Sequence, residues 1–533
     1  MKPPCDEAAM RSGAGGAPCA PQSGPWILAA AILGTSMAFI DSTVVNVALP
    51  ALQATFNATV IDVQWVVESY GLLLGALILA GGAAGDLFGR RTVFLSGIVL
   101  FALASIACGL AQTIQQLIVA RAMQGLGAAF LTPGSLAIIS ASFPQEERGR
   151  AIGTWSGFSA ITTALGPVLG GWLIQHASWR WIFFINVPLA AAVVVISLWH
   201  VPESRGSEVK RLDYLGAFVV TIGLGTLIYG LIESPQLGWG HPRVVASLLA
   251  AVLCLLSFPL VERRAESPMV PLKLFRSRTF SGANLLTLFL YSALGIFFFI
   301  FPMNLIQVQG YSATAAGAAA LPLILLIFFL SRWSGGLVTR YGSKLPLIVG
   351  PMIAATGFAL FAVPSIGGSY WATFFPAFLI LGFGMAVSVA PLTTVVMGAV
   401  DQNHAGAASG INNAVARVAG LLAIAVFGIV MVQAFASRLD HKLASLEFSP
   451  EVRNEMQANR TKLAGIDIPR GLDAVQAQEV KAGVSDAFIF AFRVVAGSCA
   501  LLAIASALFA SVLIEGKSTV LKKSSSPLRA AAD

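Results

Sequence analysis

The chain has 533 residues, of which 56% are hydrophobic and only 11% charged. Soluble proteins carry roughly 25% charged residues, so this composition excludes the ordinary soluble classes. The net charge of +8 does not mark a nucleic-acid binder, because the basic residues sit in short loops between apolar runs. Cys5, Cys19, Cys108, Cys254 and Cys499 show no paired spacing, and the histidines are scattered singly. No disulfide framework, metal site or cofactor is therefore expected.

Residues 1–25, rich in Gly, Pro and Ala, read as a disordered cytoplasmic tail. The apolar run after them is of full membrane length and contains Asp41, unlike the short core of a cleaved signal peptide. A span needs about 20 apolar residues to cross a hydrocarbon core of about 30 Å. Runs that meet this test fall near 26–49, 62–85, 92–111, 114–141, 150–174 and 181–200. Two more, near 213–232 and 243–261, lie in a linker, 201–262. The last six, near 280–303, 314–331, 345–364, 371–399, 409–434 and 486–513, belong to a segment 263–513 that precedes a C-terminal tail, 514–533. The expectation is an all-α integral membrane protein of about fourteen transmembrane helices, arranged as two six-helix bundles plus two inserted helices.

Short loops on one side hold Arg90, Arg91, Arg148, Arg150, Arg263, Arg264, Arg340 and Lys344 among others, while those on the other side offer only Arg180 and Arg243. That bias places both termini in the cytoplasm of a multi-pass protein of the bacterial inner membrane. The long hydrophilic stretch 436–485 then lies outside and reads as short exposed helices. Segments 82–91 (GAAGDLFGRR) and 335–344 (GGLVTRYGSK) are Gly-led turns with basic ends, and the same offset of 253 carries Ser156-Gly157 onto Ser409-Gly410. The offset covers an even number of spans, so the two copies run parallel, an arrangement suited to alternating access.

Several motifs carry chemistry. In GAAGDLFGRR, Asp86 closes the second span, where the helix dipole disfavours a negative charge and calls for a cation such as Arg90. Gly89 there supplies a tight turn. FIDSTVVNVALP, 39–50, buries Asp41 in the first span. An unpaired carboxylate inside a span costs roughly 2.5–3.5 kcal/mol on insertion scales, so it should face a cavity or a partner and is suited to taking and releasing a proton. RAMQGLGAA, 121–129, aligns Arg121, Gly125 and Ala128 on one helical face. TTALGPVLGG, 162–171, makes a close-packing stripe of Gly166 and Gly170, with Gly171 beside it and Pro167 freeing a carbonyl one turn earlier. Counting ~1.5 Å per residue puts Asp41, Glu68 and Arg121 at similar depth, about 9–12 Å from the outer ends of their helices, which suggests one cluster.

These motifs, in this order over residues 26–513, resemble the major facilitator superfamily, and within it the fourteen-helix drug:proton antiporters of the EmrB/QacA type. The resemblance implies that Gly82, Asp86, Gly89, Arg90 and Arg91 form an inner gating loop, and that Arg121 takes part in proton transfer with Asp41 and Glu68. Glu68 departs from the uncharged polar residue frequent there in relatives, and Thr339 stands where the second loop copy would match Asp86. The helix-5 stripe implies antiport, hence export. Asn46, Gln124, Trp155, Asn284, Asn413 and Arg417 are candidates for the substrate cavity; Asn413 and Arg417 share a helical face and either touch substrate or pair with each other.

The implied function is proton-driven export of small lipophilic molecules through the lipid bilayer. Two interior acids favour cationic or neutral cargo, Arg417 leaves weakly anionic cargo open, and substrate and proton compete for one outer-half carboxylate cluster. Relatives of the EmrB kind join a periplasmic adaptor and those of the QacA kind act without one, so an adaptor is left open. Export of one endogenous metabolite or antibiotic is the alternative within the class. A membrane enzyme or a sensor is a remote one: no paired-carboxylate or His/Cys motif lies in the loops, and no soluble output domain is present. A nucleotide-driven pump is disfavoured because no G-x-x-x-x-G-K-[ST] loop occurs.

Overall fold

The computed structural model describes residues 23–206, 211–401, 404–444, 450–469 and 472–516, and among them the regular structure is entirely helical. Among the described residues thirteen helices are long and apolar enough to cross a membrane, and a shorter one, Lys344–Leu360, makes the fourteenth. In chain order the first bundle holds α1 (Gly24–Phe56), α2 (Val60–Phe88), α3 (Arg90–Leu110), α4 (Ile114–Ser142), α5 (Gln145–His176) and α6 (Trp181–His200). Next come α7 (Tyr214–Leu237) and α8 (Pro242–Arg264). The second bundle holds α9 (Arg278–Met303), α10 (Ala313–Gly335), α11 (Lys344–Leu360), α12 (Phe375–Gly398), α13 (Ala405–Ala444) and α14 (Ala474–Leu513). The tails 1–22 and 517–533 lie outside the described residues.

Local chemistry sets the turns. Asn57 closes α1 in the left-handed region with φ 52, its N–H reaching Gln53 O. Thr59 and Asp62 then form a reciprocal capping box that starts α2. Within each bundle, small residues let backbones touch, as packing between apolar helices requires. Gly81 and Gly125 put α2 against α4: a Cβ on either would run into a backbone carbonyl of the other helix. Gly97 and Gly127 do the same for α3 and α4, and Gly350 and Gly384 for α11 and α12. Gly97 and Gly350 stand at the offset of 253 found in the sequence repeat, so the repeat extends to packing.

With fourteen alternating crossings, the start of α1 and the end of α14 share a face, here called the terminal face; the other is the far face. The inserted helices pack on each other through Gly223 and Gly230, and α7 flanks α2 and α13. Trp65 of α2 donates to Glu233 of α7 at 2.9 Å.

The stretch 436–485 differs from the expectation of exposed helices. Helices α13 and α14, each 40 residues long, continue well past membrane thickness. A helix Pro450–Ala458 and a 3-10 turn Arg460–Gly465 join them on the far face. Met456 and Leu463 are fully buried there, part of the main apolar cluster. The stretch is hydrophilic in composition, yet Leu439, Leu443, Val480 and Val484 join Met456 and Leu463 in that cluster and pin it down.

Candidate functional site

Four helices of the first bundle converge on Asp41. The carboxylate, fully buried, pairs with the Arg121 guanidinium of α4 through Oδ2. Its other oxygen accepts from Gln124 Nε2 at 2.7 Å and from Asn186 Nδ2 of α6 at 3.5 Å. Gln124 also donates to Ser105 Oγ of α3 at 2.8 Å and accepts from Arg121 at 2.7 Å. Arg121 Nε donates to the Val66 carbonyl of α2 at 3.1 Å, and the guanidinium stacks 4.2 Å from the centre of the Tyr70 ring. The pair survives burial because its lone pairs and protons are nearly all satisfied by neutral donors and acceptors. One proton on Asp41 would remove its hold on Arg121, and Arg121 is the link to α2.

Glu68 does not join this network. It is fully buried, and neither carboxylate oxygen has a hydrogen-bond partner. It lies in the stripe of α2 formed with Gln64, Gly71 and Gly75, and those three residues meet α13 at Ile424, Leu421 and Arg417 respectively. The depth expected from sequence brought Glu68 level with Asp41; its direction around the helix sends it to the junction between the bundles. A charge there has no hydrogen-bond donor among the described residues to offset it, and a proton is the smallest ligand that removes the charge.

The gating-loop residues come together on the terminal face. Arg90 reaches back to Asp86 at 2.8 Å, and the loop backbone is tied to the segment after α6 by Arg90 N to Ser204 O and Gly206 N to Asp86 O. Gly89 has φ +118, and a Cβ on it would collide with the Glu203 carboxylate. Glu203 accepts from the backbone N–H groups of Arg91 and Thr92 at the start of α3, which its charge favours. A Cβ on Gly82 would make only ordinary contact with Pro133.

The helix-5 stripe has two faces. Gly166 and Gly170 receive Thr43 and Val44 of α1. Pro167 and Gly171 meet α10, where the Pro167 carbonyl lies against Gly317 and Gly171 against the Ala313 carbonyl. Thr314 donates to Gln175 at 2.7 Å in the same seam. Further round the far face, Gln307 donates to Gln53 at 2.9 Å, Gln64 to the Ile424 carbonyl at 3.2 Å, and Lys462 to Asn57 Oδ1 at 2.5 Å. These contacts seal the far face across the two bundles.

The candidates for the substrate cavity divide. Gln124 belongs to the Asp41 network, and Trp155 donates to Thr35 within the first bundle. Asn284 lines a cavity of about 520 Å³ between α2, α7, α8, α9 and α13, and accepts from Asn412 at 3.1 Å. Asn413 donates to its own Ser409 carbonyl rather than pairing with Arg417. Arg417 is partly buried and has no hydrogen bond or ion pair to a described residue. The Asn46 side-chain oxygen is buried without a partner. Sequence reasoning missed Asn186, Ser105, Glu203, Gln53 and Gln307. Glu203, three residues beyond the end of α6, was the one with a signal: an acid in a loop otherwise read for its basic residues.

Two helical bundles that meet across a sealed face, with a buried ion pair linked to the helix that forms the seam, define a membrane transporter. The model of the Major Facilitator Superfamily matches residues 31–424. The chain is 35% identical over 500 residues to the tetracenomycin C resistance and export protein of Streptomyces glaucescens, covering 91% of each chain. It is 36% identical over 418 residues to the multidrug resistance protein Stp of Mycobacterium tuberculosis, covering 77% of this chain and 76% of that one. Among solved structures it is similar to a bacterial homologue of the lysosomal transporter Spinster, in an inward-facing and occupied conformation, with a TM-score of 0.62, 18% identity, and 91% and 96% of the two chains covered. This chain belongs to the Major Facilitator Superfamily, and it is a transporter rather than an enzyme.

Proposed function

We propose that the protein is a proton-coupled exporter that moves lipophilic small molecules, drugs or antibiotics among them, across the inner membrane of a bacterium, with both termini in the cytoplasm. The relatives' names support the substrate class, and the basic bias of the terminal-face loops supports the orientation. We take 26–200 and 263–513 as the two moving halves and 201–262 as the inserted linker.

The observation that carries the reading is the double grip of Arg121 on Asp41 and on the Val66 carbonyl. Protonating Asp41 frees the guanidinium from α1 and changes its hold on α2. The same helix carries Gln64, Glu68 and Gly71 against α13, so the change reaches the seam between the bundles. Proton and cargo on this account act on one equilibrium between two conformations rather than competing for one carboxylate. Moving one charge through 100 mV is worth about 2.3 kcal/mol, which sustains a gradient of more than tenfold. The asparagine-for-aspartate change at 41 tests it in proteoliposomes holding a pH dye. Wild type should move protons when lipophilic substrates are added, and Asp41→Asn should bind substrate without moving protons. Equal proton flux in both would remove coupling from Asp41.

Dedicated export of one endogenous compound is the second reading, favoured by the single compound in the name of the Streptomyces relative. The projecting ends of α13 and α14 are where a periplasmic adaptor would dock.

A further inference from the structure

Four formal charges sit deep in the helices around the two-bundle junction: Asp41, Glu68, Arg121 and Arg417. Two of them cancel, since Asp41 and Arg121 pair inside the first bundle. Nor does Asp41 look toward the cleft. Gln53, which meets Gln307 of the second bundle, marks the inward face of α1. Asn46 shares that face, and Asp41 lies roughly 140° round from it at 100° per residue. Glu68 is sealed between α2 and α13. Arg417 alone is partly open, carries a full charge and lacks a partner among the described residues.

Its setting suits a ligand. Arg417 faces Gly75 of α2, where the missing side chain leaves room. One turn toward the terminal face, Asn413 is exposed, so the approach to Arg417 is open from that side. A lone guanidinium at membrane depth is costly unless something neutralises it. Its planar fork of N–H donors matches a carboxylate or an aromatic oxyanion.

We infer that Arg417 selects the charge class of the cargo, receiving the carboxylate, enolate or phenolate of a lipophilic organic acid. This rests on the export reading above; it departs from the expectation of cationic or neutral cargo, which took two acids as facing the cleft, and commits to the anionic cargo that Arg417 left open. The preferred substrates are lipophilic weak acids.

The test is transport into proteoliposomes of three matched probes: an aromatic carboxylate dye, its methyl ester, and its trimethylammonium analogue. Wild type should favour the acid over both others. Arg417→Gln should lose about tenfold or more on the acid, as expected for a charge-assisted hydrogen bond, while ester transport, which reports folding, is retained. Arg417→Lys should recover part of the loss. Glu68→Gln should leave the acid-to-ester ratio unchanged; a ratio that falls as in Arg417→Gln would mean Arg417 serves as a partner for Glu68 and would overturn the inference. An unchanged ratio in Arg417→Gln, or a wild-type preference for the ammonium probe, would overturn it while leaving export intact. If no probe moves with a proton gradient, the export reading fails, and binding of the acid in detergent then decides: weaker by tenfold in Arg417→Gln sustains the site, and equal binding removes it.

Discussion

A single methyl group at Gly317 should unbalance the transport cycle. The Gly317 α-carbon rests on the Pro167 carbonyl, and a Cβ there would overlap both the oxygen and the carbon of that group. Neither atom belongs to a flexible side chain, so α5 and α10 must separate to admit it. Overpacking of this kind costs typically 1–3 kcal/mol. The cost falls only on the conformation with the far face closed, because separated helices do not meet. The equilibrium should therefore move about 5- to 150-fold toward the open far face. Cysteine placed at Thr314, whose hydroxyl bonds Gln175 in the seam, provides the reading. The five native cysteines would be replaced by serine, and labelling by a membrane-impermeant maleimide followed in cells. Gly317→Ala should label at least about fivefold faster than its parent. Identical labelling with normal transport would refute the claim that this backbone contact is the far-face gate.

Two other changes probe contacts of different kinds. Gly89→Ala should cost about 1–3 kcal/mol, since φ is +118 and the new methyl meets the Glu203 carboxyl group. Gly85→Ala, where the nearest atoms are 3.9 Å away, should be nearly neutral; melting temperatures of the two in detergent check the contrast. Leu463→Ala removes a fully buried side chain from the far-face turn and should cost roughly 2–5 kcal/mol of the closed state. Faster maleimide labelling at Thr314→Cys is the expected sign, and an unchanged rate would mean the turn is not part of the seal.

Much of the fold was legible because the bilayer imposes a length. Apolar runs near the required 20 residues marked every crossing, and only Lys344–Leu360 is shorter than the usual span. The Asp41–Arg121 pair was legible for the same reason: opposite charges at like depth in neighbouring helices must find each other. Depth follows from counting residues, but direction around the helix does not. Glu68 was placed at the right level and on the wrong neighbour, because the glycines at 71 and 75 draw that face of α2 toward α13. Asn186 and Ser105 looked like ordinary span residues, and only the assembled bundle brings them to the carboxylate. The buried turn at Leu463 was invisible, since its neighbours are hydrophilic and nothing local announces a φ of 54.

The two 40-residue helices α13 and α14 also act as a lever. Each is about 60 Å long at 1.5 Å per residue, twice the hydrocarbon thickness. Arg438 and Lys442 of one hold Asp486 of the other beyond the apolar stretch, so the projecting part moves with the second bundle as one body. Yet the turn they carry is bonded to the first bundle, through Lys462 to Asn57. Rigid-body rearrangements reach about 15°, and over a ~60 Å arm that displaces the tip by roughly 15 Å. A hydrogen bond tolerates a small fraction of that travel. A fluorophore pair on the tip of the lever and the far end of α1 would therefore follow each turnover from outside the membrane, with no label near the cargo.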